Sequence, residues 1–422
     1  MEEGGLDPAS VSQRAQRALF LIGVALVVLA TSGLLYLRPT LTARHSTPPA
    51  APPPAGGSVR SFTFFDQSAG WAVLVSSAGV LASNTSMSIV RTSDGGRHWK
   101  RADVPGVATY ALTRFFDATH GIVSVSTSSG QILYSTADGG QHWRSSPLPG
   151  QGSTADALSV VFLDPRRGWY LEQVSPVLPN SAAAQIPQQA LWRTMDGGAS
   201  WTQLLGLDAA HQPAAGGLTF GGFKALGNFS DERRGFLVSV ADVTQPSATF
   251  YSTADGGQTW APLAVLPPPA ALLREASRGM SFRLFALRDQ LVELVGAATP
   301  SGLSYFTRLS ADGGASWTAL RPLPIGSASR LVLPQFEDSR HWSLAAGRLL
   351  WRTSDAGETW QSRPAAIPAS LSISDLQVVG RNVMWAVAAR DEAPDAYDHL
   401  LRSSDDGAHW EDQGPPALQL AS

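Results

Sequence analysis

Carboxylates recur along this chain at a regular spacing that could serve a catalytic or calcium-binding set. They occupy the third position of the run Ser/Thr-x-Asp-x-Gly-x-x-Trp, which occurs seven times. A calcium loop draws several oxygen ligands from one short segment, whereas each run offers one or two. An aspartate in a turn can instead accept backbone N–H groups, and Ser or Thr does so more weakly. We therefore interpret these residues as structural: Asp94, Asp138, Asp196, Asp255, Asp312, Asp355 and Asp405.

The tryptophan that ends each run has a similar interpretation. A large ring at one fixed place after a turn predicts packing against a hairpin. Stacking on a carbohydrate is the alternative. The residues are Trp99, Trp143, Trp201, Trp260, Trp317, Trp360 and Trp410.

Other residues that commonly carry chemistry give no catalytic or metal pattern. The chain has 8 histidines and no cysteine, and His-Glu-x-x-His spacing is absent. His98, His142 and His409 share one position of the repeated run, which indicates exposed turn residues. We predict no catalytic residue, no metal site and no cofactor.

The arginines are the strongest functional candidates. Arg166-Arg167 and Arg233-Arg234 occupy the same position in consecutive repeats, and Arg340 occupies a corresponding position further along. Arginine binds carboxylates in a bidentate manner, so these five residues are candidates for binding an acidic or membrane-proximal partner. The alternative is a set of solvated turn arginines paired with Asp164, Asp231 and Glu232. A further group lies in the fifth repeat: Arg274, Arg278, Arg283 and Arg288.

These side chains must be positioned by short strands. An alternating apolar run precedes each Asp-containing run, as in ILYST and ALWRT, and period-two patterning indicates a strand. A second motif lies upstream, as FFDQSAGW at Phe64 and FLDPRRGW at Phe162, and predicts strand, turn, strand. Four antiparallel strands repeated seven times predict an all-β, seven-bladed β-propeller.

The spacing of the repeats also predicts insertions and leaves the ring closure open. Wider gaps indicate long connections near residues 173–189, 207–226, 265–280 and 389–399. The last blade could be completed by its own final strand, at 410–419, or by the segment at 58–65.

The N-terminal region predicts a membrane anchor. Residues 18–37 are uncharged and apolar, and about 20 such residues span a bilayer. We predict a short tail at 1–17, a transmembrane helix at 18–37, a Pro/Ala-rich linker at 38–58 and the propeller at 59–422. A cleaved signal peptide is the alternative, although the apolar run is long for one. We expect a cytoplasmic N-terminus and an extracytoplasmic propeller.

Bulk composition excludes one class of partner. The formal net charge is -3, which is no signature of nucleic-acid binding. We expect the propeller to be monomeric.

The repeated runs resemble the Asp-box, or bacterial neuraminidase, repeat. Together with F-x-D-x-x-x-G-W upstream, they resemble the photosystem II assembly and stability factors of cyanobacteria and plastids. That resemblance implies a seven-bladed, non-catalytic scaffold that binds newly made membrane proteins, with an arginine patch implicated. Here a transmembrane helix takes the place of the lipid-anchoring cysteine of the cyanobacterial proteins.

A glycan-binding or glycoside-hydrolase propeller of the sialidase or glucanase type is the alternative function. The Arg-Ile-Pro signature of sialidases is absent from the sequence. Sialidase chemistry also needs a tyrosine nucleophile, for which four tyrosines could be considered: Tyr110, Tyr170, Tyr305 and Tyr397.

Overall fold

The computed structural model describes most of the chain beyond residue 57. The described residues are 58–77, 85–127, 130–150, 159–174, 188–207, 217–218, 223–240, 249–263, 268–269, 272, 274, 276, 280–300, 302–325, 333–380, 382–391, 399–414 and 416. The predicted tail, the predicted transmembrane helix and the linker up to residue 57 lie outside them. Among the described residues, no helix has the length and apolar character needed to cross a bilayer.

Twenty-eight strands form in this part of the chain. The first sixteen are β1 Ser58–Phe64, β2 Gly70–Ser77, β3 Thr85–Thr92, β4 Lys100–Arg101, β5 Leu112–Phe115, β6 Gly121–Thr127, β7 Gly130–Thr136, β8 Arg144–Pro147, β9 Ser159–Phe162, β10 Gly168–Val174, β11 Gln188–Thr194, β12 Thr202–Leu207, β13 Phe223–Phe229, β14 Gly235–Val240, β15 Thr249–Thr253 and β16 Ala261–Pro262. The remaining twelve are β17 Met280–Ala286, β18 Leu291–Thr299, β19 Gly302–Ser310, β20 Arg321–Pro322, β21 Gln335–Phe336, β22 Trp342–Ala346, β23 Leu349–Thr353, β24 Gln361–Pro364, β25 Leu371–Val379, β26 Val383–Arg390, β27 His399–Ser403 and β28 Glu411–Asp412.

Each consecutive group of four strands forms one antiparallel sheet, which gives seven four-stranded blades. The predicted all-β, seven-bladed propeller is thereby confirmed. The last blade is completed by its own strand β28, which pairs with β27. Strand β1, which begins at Ser58, is the innermost strand of blade one, so the ring does not close by a shared strand.

The two faces of the ring differ in their connections. We use Asp box as a label for each Ser/Thr-x-Asp-x-Gly-x-x-Trp run of this chain. In blade one, Gly95 of this run donates its N–H to the carbonyl of Ser68 in the β1–β2 turn at 2.8 Å. The first hairpin turn and the Asp box of each blade therefore lie together on one face, which we call the box face. The strands that flank the four predicted insertions end on the other face, which we call the crossover face. The chain also enters β1 there.

The Phe-Gly-Trp motif explains how the blades adhere. Phe229 and Gly235 are cross-strand partners, and a Cβ on Gly235 would lie 2.3 Å from the Phe229 ring. Only glycine leaves room for that ring. The other side of the Phe229 ring stacks on Trp169 of the preceding blade, with ring centroids 3.6 Å apart. The Trp169 indole N–H then donates to the carbonyl of Gly256 in the next Asp box, at 2.8 Å.

Blades seven and one meet through the same kind of stack. Phe64 lies on Trp385 with ring centroids 3.5 Å apart. The Gln377 side chain adds two hydrogen bonds: the Phe64 N–H donates to Gln377 Oε1 at 2.8 Å, and Gln377 Nε2 donates to the Phe64 carbonyl at 2.9 Å. We call this pairing of a side-chain amide with a backbone residue of the next blade an amide clasp. Asn228 and Ala286 form a second one between blades four and five, at 3.3 Å for each bond.

Candidate functional site

Each Asp box is a closed network of hydrogen bonds. In blade four, Thr253 Oγ1 donates to Asp255 Oδ1 at 2.8 Å and accepts the N–H of Gly257 at 2.9 Å. Asp255 also accepts the backbone N–H of Thr259 at 2.9 Å and its hydroxyl at 2.6 Å. All seven boxes repeat the bond from the leading Ser or Thr to the aspartate. The carboxylates are therefore engaged within their own turns.

The residue just before the box tryptophan completes this network, which the sequence analysis missed. It donates its backbone N–H to the aspartate, and its side chain contacts the second carboxylate oxygen. A visible signal existed, because the position holds Ser, Thr or His in every box. The residues are His98, His142, Ser200, Thr259, Ser316, Thr359 and His409.

These contacts hold the box aspartates in the ionised form. Burial opposes ionisation of Asp94, but hydrogen bonds from His98 and Thr92 outweigh it and lower the pKa of Asp94 to about 2. At Asp312 the hydrogen bonds from Ser316 dominate, and the pKa is again lowered to about 2. A group held this firmly as an anion is unsuited to donating a proton as a general acid near neutral pH.

Two of the box tryptophans are buried at the blade edges, and the other five are half-buried. Trp99 is 2% exposed and Trp260 5% exposed. Their indole N–H groups donate to carbonyls within the same box, those of Gly96 at 2.9 Å and Gly257 at 3.1 Å. Trp143 instead donates to the carbonyl of Ala102 in the preceding blade, at 3.2 Å. The indole N–H groups of Trp99 and Trp260 thus stabilise their own boxes, whereas that of Trp143 links two blades.

The candidate arginines lie in the first hairpin turns, on the box face. The Asp164 carboxylate accepts the backbone N–H groups of Arg166 and Arg167, each at 2.8 Å. Asp231 holds Arg233 and Arg234 in the same way, at 2.8 Å. The aspartates thereby turn toward the backbone and fix the turn, while the arginine side chains leave from it. Arg340 is placed equivalently by Asp338, at 2.7 Å.

The five arginines are not equivalent. Arg167 forms ion pairs with Asp164 at 2.5 Å and with Glu232 of the next blade at 3.4 Å, as the solvated-turn interpretation expects. Arg233 donates from Nε to the Ala254 carbonyl at 3.3 Å. By contrast, the side chains of Arg166, Arg234 and Arg340 are exposed and have no hydrogen-bond or ion-pair partner within the described part of the chain.

An apolar side chain lies beside this group. Met195, the second residue of the blade-three box, is 48% exposed. It lies close to Arg166, because Gly197 of the same box donates its N–H to the Arg166 carbonyl at 2.8 Å. The box face of blades three and four therefore combines positive charge with an exposed thioether.

The arginines of the fifth repeat do not form one surface group. Arg283 lies within innermost strand β17 and is 5% exposed. Burial lowers its pKa to about 10. The expected grouping of Arg283 with surface arginines is therefore wrong, because the sequence alone did not place it on an innermost strand.

Innermost strands also carry charge into the central channel. Arg114 on β5 and Asp375 on β25 are solvent-exposed, and neighbouring blades cover both faces of each sheet, so the solvent they reach is that of the channel. Burial within the ring lowers the pKa of Arg114. It also raises the pKa of Asp375 to about 6, an effect offset only in part by the Leu376 N–H. Among the described innermost strands, Asp375 is the sole acid.

The tyrosines considered as nucleophiles are poorly placed. Tyr110, Tyr170 and Tyr305 are buried to within 3% exposure, and burial raises the pKa of Tyr110 and of Tyr170. Tyr397 lies outside the described residues. Within the described ranges, no group of three or more His, Asp or Glu side chains is arranged to hold a metal ion.

Comparisons with known proteins bear on the fold. No family model matches the chain. A vacuolar protein sorting/targeting protein 10 from Sordaria macrospora is 36% identical over 52 residues, which are 12% of this chain and 3% of that protein. The match thus spans a small part of either chain, comparable with one repeat of about 50 residues.

Solved structures align over most of the chain. YCF48 from Cyanidioschyzon merolae aligns with a TM-score of 0.49 and 17% identity, covering 84% of this chain and 97% of that one. A PL25 ulvan lyase aligns with a TM-score of 0.48 and 10% identity, covering 87% and 99%. Prolyl oligopeptidase B from Galerina marginata aligns with a TM-score of 0.50 and 11% identity, covering 99% of this chain and 57% of that one. This last likeness concerns the propeller fold alone.

Proposed function

We propose that the chain is a non-catalytic, membrane-anchored scaffold whose box face binds an acidic segment of a protein partner, with a membrane protein under assembly as the favoured partner. The observation that carries this proposal is the pair of exposed guanidinium groups of Arg166 and Arg234, to which no described residue offers a hydrogen bond or ion pair, on turns fixed by hydrogen bonds and with Met195 close to Arg166. The sequence motifs shared with photosystem II assembly factors favour the same class of partner.

Rigid turns make this surface suitable for recognition. The Asx contacts of Asp164 and Asp231 preorganise the arginines, so that binding orders side chains rather than backbone. Guanidinium groups pair with carboxylates in a bidentate geometry. An exposed methionine adapts to varied apolar partners. A partner with acidic residues flanking an apolar residue would match both features.

The topology fits an anchor at the N-terminus. The chain enters β1 on the crossover face, and the arginine turns lie on the box face. A membrane attachment preceding β1 would therefore present the arginines on the side of the ring away from the attachment point, where a partner could reach them.

The binding proposal is tested by reversing the exposed charges. The full chain with Arg166→Glu, Arg233→Glu and Arg234→Glu should lose its cross-linked partner in its native membranes, and wild-type capture should weaken as salt shortens the Debye length from about 10 Å toward 3 Å. A matched control, Arg97→Glu, Lys100→Glu and Arg144→Glu, changes three exposed cations of blades one and two and should retain the partner. Equal capture by both variants would refute the proposal.

Membrane anchoring is tested separately, by fractionation and protease accessibility in the same cells. The tagged chain should partition with membranes, and protease added from the extracytoplasmic side should remove the propeller. Digestion only after permeabilisation would overturn the proposed orientation.

The hydrolase alternative is less well supported. Glycosidases place two carboxyl groups across the scissile bond. Asp375 is the sole acid on the described innermost strands, and the box aspartates are engaged in their turns. A second carboxylate opposite Asp375 would be required for this chemistry.

A further inference from the structure

Arg283 is a buried cation to which no described residue offers a counter-charge. It lies on the innermost strand of blade five and is 5% exposed, and its Nε is enclosed without a hydrogen-bond partner. Burial lowers the pKa of its guanidinium to about 10, so the group stays charged at neutral pH. A buried charge is unfavourable unless an opposite charge or hydrogen bonds compensate it. Arg283 therefore calls for an acceptor.

The acid nearest in register faces the opposite side of the sheet. Arg283 pairs with Leu294 across β17 and β18, and the next pair along is Leu284 with Glu293. Successive residues of a strand point to opposite faces. Leu284 packs in the cluster shared with blade four, and Glu293 on the same face is paired with Arg308. Arg283 therefore faces blade six.

The junction between blades five and six contains further donors without acceptors. Its apolar cluster joins Phe285 and Tyr305 of blade five to Trp351 and Trp360 of blade six. Arg283 lies two residues from Phe285 and so on the same strand face, and Tyr305 acts on it electrostatically. The indole N–H groups of Trp351 and Trp360 are enclosed and have no hydrogen-bond partner. One cation and two donors thus occupy a junction in which no described carboxylate bonds to them.

Other enclosed arginine nitrogens in the ring are compensated. Four half-buried arginines also have a nitrogen without a hydrogen-bond partner. Two lie over indole rings, at 5.5 and 5.8 Å from the centroid: Arg193 on Trp169 and Arg402 on Trp385. Two share the Asp406 carboxylate, at 2.5 and 3.7 Å: Arg352 and Arg363. Arg283 is more buried than these four and has neither kind of contact with a described residue.

An anion matches this set of groups. A guanidinium and an indole N–H donate and do not accept, so the matching ligand accepts hydrogen bonds and need not donate any. One positive charge in apolar surroundings favours a single negative charge, because a second would be buried without compensation.

We propose that the junction between blades five and six binds a small monovalent anion, chloride in particular, with Arg283 as its counter-charge and the Trp351 indole N–H as a further donor. An ion of this size needs little more space than one ordered water. It reaches Arg283 from the central channel, which β17 lines. The arginine turns of the box face take no part, so the site is independent of the proposed function.

The test measures chloride binding by the full chain in two ways. Chloride is raised from about 1 mM to about 300 mM against gluconate at constant ionic strength, and the urea midpoint of unfolding should rise, because a ligand of the folded state stabilises it by mass action. Broadening of the chloride NMR line by the protein should give a Kd on the order of 10 mM, and bromide should reverse it. A urea midpoint that does not respond to chloride would overturn the proposal.

Replacing the counter-charge separates an anion site from a structural arginine. Arg283→Leu should lose the chloride response, and at low chloride it should unfold at a urea concentration at least as high as wild type, because a buried charge has been removed. Arg283→Gln also removes the charge and keeps the test decisive if Arg283→Leu fails to fold. The matched control is Arg288→Leu, at an exposed position of the β17–β18 turn, which should keep the full response. A folded Arg283 variant with an unchanged chloride response would refute the site.

The second donor has its own variant. Trp351→Phe keeps an aromatic ring and removes the N–H, so the chloride Kd should rise severalfold while the midpoint at low chloride changes less. An unchanged Kd in Trp351→Phe would contradict the site as proposed.

Discussion

A single hydroxyl organises each box turn. Thr253 is 4% exposed, and its Oγ1 bridges the Asp255 carboxylate and the Gly257 N–H at 2.8 and 2.9 Å. The aspartate in turn depends on this donor and on Thr259. Serine or threonine is therefore required at the start of the run for a physical reason, namely that a hydroxyl both donates and accepts.

Replacing that hydroxyl by a methyl group should destabilise the folded protein. Thr253→Val keeps the shape but leaves the Gly257 N–H without its acceptor and removes one of the two donors to Asp255 Oδ1, which should lower the free energy of unfolding by about 1–3 kcal/mol. Urea unfolding followed by tryptophan fluorescence measures the change. Thr249→Val, in the same strand, where no described residue bonds to the threonine side chain, should change stability by less than about 0.5 kcal/mol. Similar losses in the two variants would contradict this account of the box.

At the scale of the element, the blade junction depends on a flat contact between Phe and Gly. The Phe229 ring lies between Gly235 of its own blade and Trp169 of the preceding blade. Displacing the ring from one side must disturb its stack on the other. The junction thus couples two blades through one aromatic side chain.

Adding one methyl group at this contact tests the coupling. Gly235→Ala would place a Cβ 2.3 Å from the Phe229 ring, and overpacking of this kind should destabilise the protein by about 1–3 kcal/mol. The near-UV circular dichroism of the stacked tryptophan should also change. Gly206→Ala is the matched control, because its Cβ would meet only the flexible end of Gln203. An unaltered aromatic spectrum in Gly235→Ala would count against the coupling.

At the scale of the whole molecule, the ring alters the titration of an acid that lines its channel. Asp375 reaches the solvent of the channel, yet burial raises its pKa to about 6 from 3.8. Between these two values the folded state binds more protons at Asp375 than the unfolded state does. The contribution of this residue to stability therefore decreases as the pH rises through that window.

Removing the carboxyl group of Asp375 should weaken this dependence of stability on pH. Relative to wild type, Asp375→Asn should gain stability as the pH rises from about 4 to about 7, because the asparagine has no proton to lose. Chemical denaturation at several pH values gives the difference. Glu411→Gln removes an exposed acid of β28 and should show no such gain. A difference between Asp375→Asn and wild type that is independent of pH would exclude an enclosed acid at this position.

The parts of the structure that the sequence predicted are the parts with local signals. The boxes, the Phe-Gly-Trp motif and the strands between them repeat, and each is built from residues close in the chain. The clasp of Gln377 on Phe64 joins residues 313 positions apart. No sequence pattern at either residue predicts this contact. The burial of Arg283 and the channel position of Asp375 likewise depend on which strand lies innermost. The motif placed the candidate arginines in equivalent turns and named Glu232 as a possible partner, but it did not show that Glu232 pairs with Arg167 of the preceding blade.

The junction between the first and last blades uses the same kinds of contact as other junctions of the ring. Its aromatic stack matches that of Trp169 on Phe229, and its amide contact matches that of Asn228 on Ala286. No strand is exchanged across this junction. The first and last blades therefore meet as other neighbouring blades do, whatever the order of their synthesis. A gene reopened at another junction and joined at this one would encode the same set of neighbours, so lineages carrying such repeats are free to shift their starting blade without redesigning any contact.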